Sequence, residues 1–364
     1  MGMRPKKVLV AGASGVVGLA AMKHFGSAGV ETLATSRRRP AETHGAQHVS
    51  LDLTDAAAAK AFAEAHPDVT HIVYAALFEK PGLVAGWREH DQIATNDRML
   101  RNLMEPLLAV ANGLEHLTLL QGTKAYGAHV RPIELPAREN RSEFQHDNFY
   151  WLQEAFVREA ARGADWAWTI FRPQIIFGEA TGAAMNLIPA IGAYGALLRE
   201  KGEPLHFPGG AHTILEAVDA DLVARAIAWA GQSEAARNQV FNITNGDVFT
   251  WRGVWPAIAA ALGMAPGEDR PLYVAPWLEA EKDDWRALAE RHGLAEPDLG
   301  KLLGESHHYV DFTMAAGLEG PVPPAIVSTI RLREAGFHEV MDTEAMFAKW
   351  FRLFQARRLL PMAG

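Results

Sequence analysis

Residues 12–18 read Gly-Ala-Ser-Gly-Val-Val-Gly, set between an apolar run at Val8–Ala11 and a stretch of helical spacing at Val16–Ser27. Glycine is needed where backbone turns tightly beside a pyrophosphate, and again where a strand and a helix pack closely. The helix start then offers unpaired N–H groups and the positive end of its dipole to the phosphates. Gly12, Ser14, Gly15, Val16 and Gly18 are therefore candidate contacts to a dinucleotide. The spacing is G-x-x-G-x-x-G, not G-x-G-x-x-G. The residues just past the second strand select the dinucleotide, because an acidic side chain there would repel a 2′-phosphate. This chain has Thr35-Ser36-Arg37-Arg38-Arg39 instead. Guanidinium groups bind phosphate by charge-assisted, often bidentate bonds. Ser36, Arg37 and Arg38 thus point to NADP(H) over NAD(H); the plainer reading is a solvated basic loop. Asp52 and Leu53, after the third strand, are placed to flank the adenine, although Asp52 serves equally to start a helix.

A glycine turn of this type suggests a short-chain dehydrogenase/reductase, whose active site normally pairs Tyr with Lys four residues later on one helix face. The six tyrosines allow an exhaustive test. Four residues beyond Tyr74, Tyr126, Tyr150, Tyr194, Tyr273 and Tyr309 stand Phe78, Val130, Glu154, Leu198, Trp277 and Thr313. No Tyr-x-x-x-Lys exists. Either the chain is not catalytic or its lysine comes from elsewhere. Gln121-Gly122-Thr123-Lys124 begins where the fifth strand ends, and Tyr150 lies near the first turn of the next helix. Taken singly, these are a solvated loop cation and an aromatic packing a helix start. Strand carboxyl ends face the crevice of an open α/β sheet. Ala75, Ala76, Gln121 and Pro173, with Ile176 just beyond, belong to that edge.

The elements that must position these groups follow an alternating rhythm. Strand-like runs at Val8–Ala11, Val30–Thr35, His48–Leu51, Thr70–Ala76, Leu117–Gln121 and Trp168–Arg172 are separated by helical patterns. One helix runs from Asp55 to His66, capped by Thr54 or Asp55, and another from Asp91 to Leu114. Such alternation predicts a Rossmann-type doubly wound parallel sheet covered on both faces. A helix at Asp219–Ala230 and a strand at Gln239–Ile243 return to that sheet. Beyond Thr250 the patterns are mainly helical, broken at Pro256, Pro266, Pro271, Pro276 and Pro321–Pro324. The expected organisation is a dinucleotide-binding domain at residues 1–178, completed by about 214–245. Residues 179–213 and about 246–364 form a smaller, mainly helical substrate-binding lobe.

Composition narrows the chemistry. The 364 residues are 49% hydrophobic and 21% charged and include no cysteine, which excludes disulfides, thiolate metal sites and a thiol nucleophile. The formal charge of −8 suggests neither nucleic acid nor an anionic membrane as a partner. Among the fifteen histidines, His44 and His48 lie in a polar connector, and His307 and His308, if in a strand, would point opposite ways. No metal site is expected. The N-terminal apolar run is too short for a leader peptide or membrane span, and Lys6 spoils a myristoylation signal, so a cytoplasmic location is expected.

Nearly the whole chain resembles the progesterone 5β-reductase and iridoid synthase-like enzymes, an atypical branch of the extended short-chain dehydrogenases/reductases. The resemblance runs through GASGVVG, SRRRP, LQGTKAYG, DNFYWLQE, FRPQIIFG, AAMNL, VFNITNGDVFTW and IRLREAGF. VFNITNGDVFTW and the order Lys124-before-Tyr150 are its specific parts. It implies that Lys124 and Tyr150 are catalytic and that Ala184 and Met185 lie near the cofactor diphosphate. It also implies NADPH-dependent reduction of the activated double bond of a small apolar enone or enal. Tyr150 would hold the carbonyl oxygen, and Lys124 would supply positive potential near the phenol. The departures are Ala125, where the family carries His, and Trp151, where it carries a second Tyr; the first puts substrate scope in doubt. Phe149, Trp151, Trp87, Phe177 and Tyr194 could wall a substrate cleft or fill the core. Glu154 is expected to be structural. Other readings are a carbonyl reductase, a nucleotide-sugar epimerase or dehydratase, and a non-catalytic NADP(H) sensor. A homodimer is compatible with all of them.

Overall fold

The computed structural model describes residues 6–81, 83 and 85–363. The expectations for Met1–Pro5 fall outside them. The first half runs β1 (Lys7–Ala11), α1 (Val16–Ser27), β2 (Glu31–Ser36), β3 (Gln47–Ser50), α2 (Ala56–Ala65), β4 (His71–Tyr74), α3 (His90–Val110), β5 (His116–Leu120), α4 (Phe149–Ala160) and β6 (Ala167–Pro173). Next come β7 (Ile175–Phe177), α5 (Leu187–Glu200), β8 (Leu205–Phe207), β9 (Ala217–Asp219), α6 (Ala220–Ala230) and β10 (Gln239–Ile243). The remainder is α7 (Trp251–Ala261), β11 (Pro266–Asp269), α8 (Val274–Ala280), α9 (Lys282–His292), α10 (Leu299–Leu303), α11 (Ser306–Thr313), α12 (Ile330–Glu334) and α13 (Thr343–Ala356).

Seven strands form one sheet in the order β10-β6-β5-β4-β1-β2-β3. All six pairings are parallel. The sheet winds outward both ways from β1, so a crevice opens at the carboxyl ends of β1 and β4. Alternation along β1 separates two cores. Val8 and Val10 pack with α1 and α6, while Leu9 and Ala11 pack with α2 and α3. Asp55, not Thr54, caps α2, accepting bonds of 3.0 Å from the N–H groups of Ala57 and Ala58.

A third core forms around α5, which is buried from Leu187 to Leu198 and packed by Trp251, Trp255, Trp285, Phe347, Trp350 and Phe351. Phe177 and Tyr194 belong here and not on a cleft wall. Phe177 meets the rings of Trp251 and Phe347, and Tyr194 meets Trp277 while donating a hydrogen bond to the His206 carbonyl. Both sit where aromatic area gains most from leaving water. Two sequence readings are corrected here. Pro256 lies inside α7 without ending it, because burial of Trp251, Val254, Trp255 and Ile258 outweighs one lost backbone bond. His307 and His308 lie on α11, where the helical turn brings their ring centroids to 4.3 Å. No helix among the described residues is long and apolar enough to cross a membrane.

Candidate active site

The turn after β1 shows why its glycines are there. Gly12 has φ +89°, and a Cβ on it would stand 2.6 Å from the backbone of Ala75 and Ala76 at the end of β4. A Cβ on Gly18 would stand 2.1 Å from the Gly12 carbonyl oxygen, so this residue lets α1 sit against the turn. Gly18 thus supports the cleft from behind, while Gly12, Ser14, Gly15 and Val16 line it. The N-cap of α1 is Gly15, with no side-chain cap and no acidic residue in the first turn. Its leading amides are left for an anion.

The cleft has a volume of about 440 Å³. Ser36, Arg37, Arg38, Asp52 and Leu53 line one stretch of it. Arg39 does not. Arg38 donates through Nη2 to the Gly182 carbonyl at 3.3 Å, while the Ser36 hydroxyl donates to the Arg38 carbonyl at 2.6 Å. Asp52 accepts from the Thr54 N–H at 2.9 Å and hydroxyl at 2.8 Å. These bonds, with a smaller part from the nearby Arg37 charge, hold its carboxyl below the usual range. Ala184 and Met185 line the cleft as well. Their loop is pinned to α10 by the Gly182 N–H donating to the Leu302 carbonyl at 2.9 Å.

Ala75, Ala76, Gln121, Lys124, Phe149, Tyr150, Pro173 and Ile176 all line the same cleft. Lys124 comes from a short turn after β5, and Tyr150 is the second residue of α4. Asn148 starts that helix by accepting from the Tyr150 N–H at 3.0 Å. A buried polar brace fixes α4 to the sheet edge. Gln121 Nε2 donates to Glu154 at 2.8 Å and to the Tyr150 carbonyl at 3.3 Å, and Arg172 Nε donates to Gln121 Oε1 at 2.8 Å. Arg172 also pairs with Glu143 and Glu154.

The Tyr150 hydroxyl lies beside Gly122, where a Cβ would be 3.5 Å from it, and forms no hydrogen bond to the described residues. Burial pushes its phenol well above the ordinary range, and the negative potential of Glu79 adds to this. Lys124 lines the same cleft. Its ammonium lies 3.5 Å over the Trp87 ring and 3.9 Å from Glu79 Oε1, and burial lowers it to about 8 against the pull of Glu79. Tyr150 is a neutral hydrogen-bond donor.

Trp87 supports Lys124 from beneath instead of lining the cleft, and Trp151 packs toward the Arg172 guanidinium, 5.5 Å from its ring. Each aromatic ring covers a cation, which a cleft wall would not provide. Sequence reasoning missed Leu77, Phe78, Glu79, Gln153 and Tyr309, all in the lining. A charged residue just past the buried strand β4 was a usable signal for Glu79. Tyr309 arrives from α11 with no local signal. Its ring is held among Trp87 and Phe312.

The profile of the PRISE-like Rossmann-fold domain matches residues 54–361. The chain is 27% identical over 340 residues to the 3-oxo-Δ4,5-steroid 5β-reductase of Arabidopsis thaliana, covering 89% of this chain and 84% of the relative. It is 30% identical over 285 residues to an (S)-8-oxocitronellyl enol synthase of Nepeta cataria, covering 73% and 70%. Among solved structures, the UDP-glucose 4-epimerase of Thermotoga maritima superposes with a TM-score of 0.66 at 17% identity, over 95% of this chain and 99% of that one. The Thermus thermophilus UDP-glucose 4-epimerase, solved with NAD, superposes with a TM-score of 0.64 at 19% identity, with the same coverage. These two show the fold alone. The chain belongs to the PRISE-like Rossmann-fold domain family.

Proposed function

We propose that this protein reduces the activated carbon–carbon double bond of small apolar enones and enals with NADPH. The observation that carries the reading is a buried, neutral phenol, Tyr150, whose hydroxyl is free of hydrogen bonds to the described residues in the cleft that Lys124 also lines. The steroid 5β-reductase and oxocitronellyl enol synthase names of its relatives support the reaction class.

The uncapped start of α1 would hold the pyrophosphate, and Arg37 and Arg38 the 2′-phosphate. NADPH, when bound, supplies the hydride, which the substrate accepts at its β-carbon. Negative charge then grows on the carbonyl oxygen, and the Tyr150 hydroxyl donates a hydrogen bond to it. The bond strengthens as charge develops, so it stabilises the transition state more than the ground state. A phenol held above its ordinary pKa keeps its proton through this step and acts as a donor, not as an acid that empties. Leu77, Phe78, Phe149 and Tyr309 provide a largely apolar wall in which that bond is little weakened by solvent. A proton added at the α-carbon completes the saturated carbonyl.

The test is NADPH oxidation with a panel of enals, enones and saturated ketones, with analysis of the products. The expected product of an enone is the saturated ketone. An allylic alcohol from the same substrate would mean attack at the carbonyl carbon and would overturn the reading.

A further inference from the structure

Glu79 and Lys124 line the cleft with side chains that are only 6% and 14% exposed, yet neither is fully satisfied. Glu79 Oε2 accepts from Gln92 Nε2 at 2.7 Å; Oε1 and the indole N–H of Trp87, which stabilises the same carboxylate, are both buried without a well-formed hydrogen bond among the described residues. The Lys124 ammonium rests on the Trp87 face and forms no hydrogen bond to the described residues. The 3.9 Å between Nζ and Oε1 is too long for a direct bond. Leaving a buried carboxylate oxygen and an ammonium both short of partners is unfavourable. The vacant positions are complementary: one donor and one acceptor, side by side. A ketone oxygen only accepts and an ammonium only donates. A hydroxyl does both.

We propose that Glu79 and Lys124 together bind one ligand hydroxyl, Glu79 Oε1 accepting its hydrogen and Lys124 Nζ donating to its oxygen. A hydroxyl of this chemistry has two sources, a ribose of the dinucleotide near the nicotinamide or a hydroxyl carried by the enone. The second source rests on the proposed double-bond reduction; the first does not. Glu79 is in either case a specificity residue acting by contact, and its place after β4 puts it opposite the loop that carries Lys124.

Equilibrium binding tests this without turnover. Wild type, Glu79→Ala and Glu79→Gln are titrated with NADPH and with adenosine 2′,5′-bisphosphate, which lacks the nicotinamide ribose. The NADP⁺-loaded proteins are then titrated with cyclohexenone and its γ-hydroxy derivative. Glu79→Ala is expected to weaken the hydroxyl-bearing ligand about 10- to 100-fold, and Glu79→Gln less, since an amide oxygen still accepts. Loss for NADPH with the bisphosphate unchanged assigns the site to the ribose. Loss for the hydroxy-enone with cyclohexenone and NADPH unchanged assigns it to the substrate. Equal losses for both members of each pair, or no loss in either, overturn the proposal. An allylic alcohol in the turnover assay overturns the reaction assignment and leaves the ribose comparison standing.

Discussion

Replacing Tyr150 by Phe removes one oxygen and little else. The hydroxyl has no hydrogen bond to the described residues to lose, while the Tyr150 N–H keeps its 3.0 Å bond to Asn148 and the carbonyl its 3.3 Å bond from Gln121. The ring keeps its edge contact with Phe149 at 4.6 Å. Removing a buried hydroxyl without a partner is nearly neutral for folding, so stability should change by less than about 0.5 kcal/mol. Catalysis should respond very differently. Loss of a donor aimed at a developing oxyanion lowers kcat by about 10²- to 10³-fold. At about 1.36 kcal/mol per decade, that is roughly 2.7 to 4.1 kcal/mol of transition-state stabilisation. The measurements are kcat from NADPH oxidation with an enone, the NADPH dissociation constant and the thermal midpoint. The expected set is a large fall in kcat with the other two unchanged. Turnover within about threefold of wild type would refute the assignment, and a lower midpoint with lost NADPH binding would make Tyr150 structural.

Gly12→Ala should abolish dinucleotide binding and lower the thermal midpoint, because a Cβ would meet the Ala75–Ala76 backbone at 2.6 Å at a φ of +89°; calorimetry and NADPH fluorescence check this. Arg37→Ala should weaken NADPH about 10- to 100-fold while NADH changes by less than about threefold; equal losses would place Arg37 away from the 2′-phosphate. Burial lowers Lys124 to about 8, so turnover that needs its positive charge should fall above about pH 8. In Lys124→Arg, where the charge persists, that alkaline limb should vanish from the pH–rate profile. Glu216 is buried and raised from 4.5 to about 7, chiefly by burial, so its protonated form favours the fold. That contribution is full below about 4.5 and is lost as pH rises through 7. Glu216→Gln should remove a pH-dependent term on the order of 3 kcal/mol, read as a flatter stability profile from pH 4.5 to 7.

Much of the fold was legible because it rests on local rules. Val8–Ala11 is too apolar to be anything but a buried strand, and the alternation beyond it leaves a parallel sheet as the economical solution. The glycine turn was readable for the same reason: Gly12 and Gly18 answer to backbone sterics a few residues away. Lys124 and Tyr150 were found by elimination and resemblance, at strand and helix boundaries where cleft residues collect. The aromatic residues were read poorly. Phe177, Tyr194, Trp87 and Trp151 look alike in a sequence, since an apolar ring gains from burial in a core, against a cation or along a cleft.

The sequence by itself determined the glycine-rich strand–turn–helix, the basic turn at Arg37–Arg38 and the absence of a Tyr-x-x-x-Lys pair. Each rests on neighbouring residues or on residue identity alone. Only the tertiary structure decided that Glu79 faces Lys124 and that Tyr309 enters from α11. It also decided that burial and the nearby Glu79 raise the Tyr150 phenol. Those outcomes depend on burial and on distances between segments far apart in the chain. Desolvation and Coulomb energies vary steeply with both, and no spacing along a sequence encodes them.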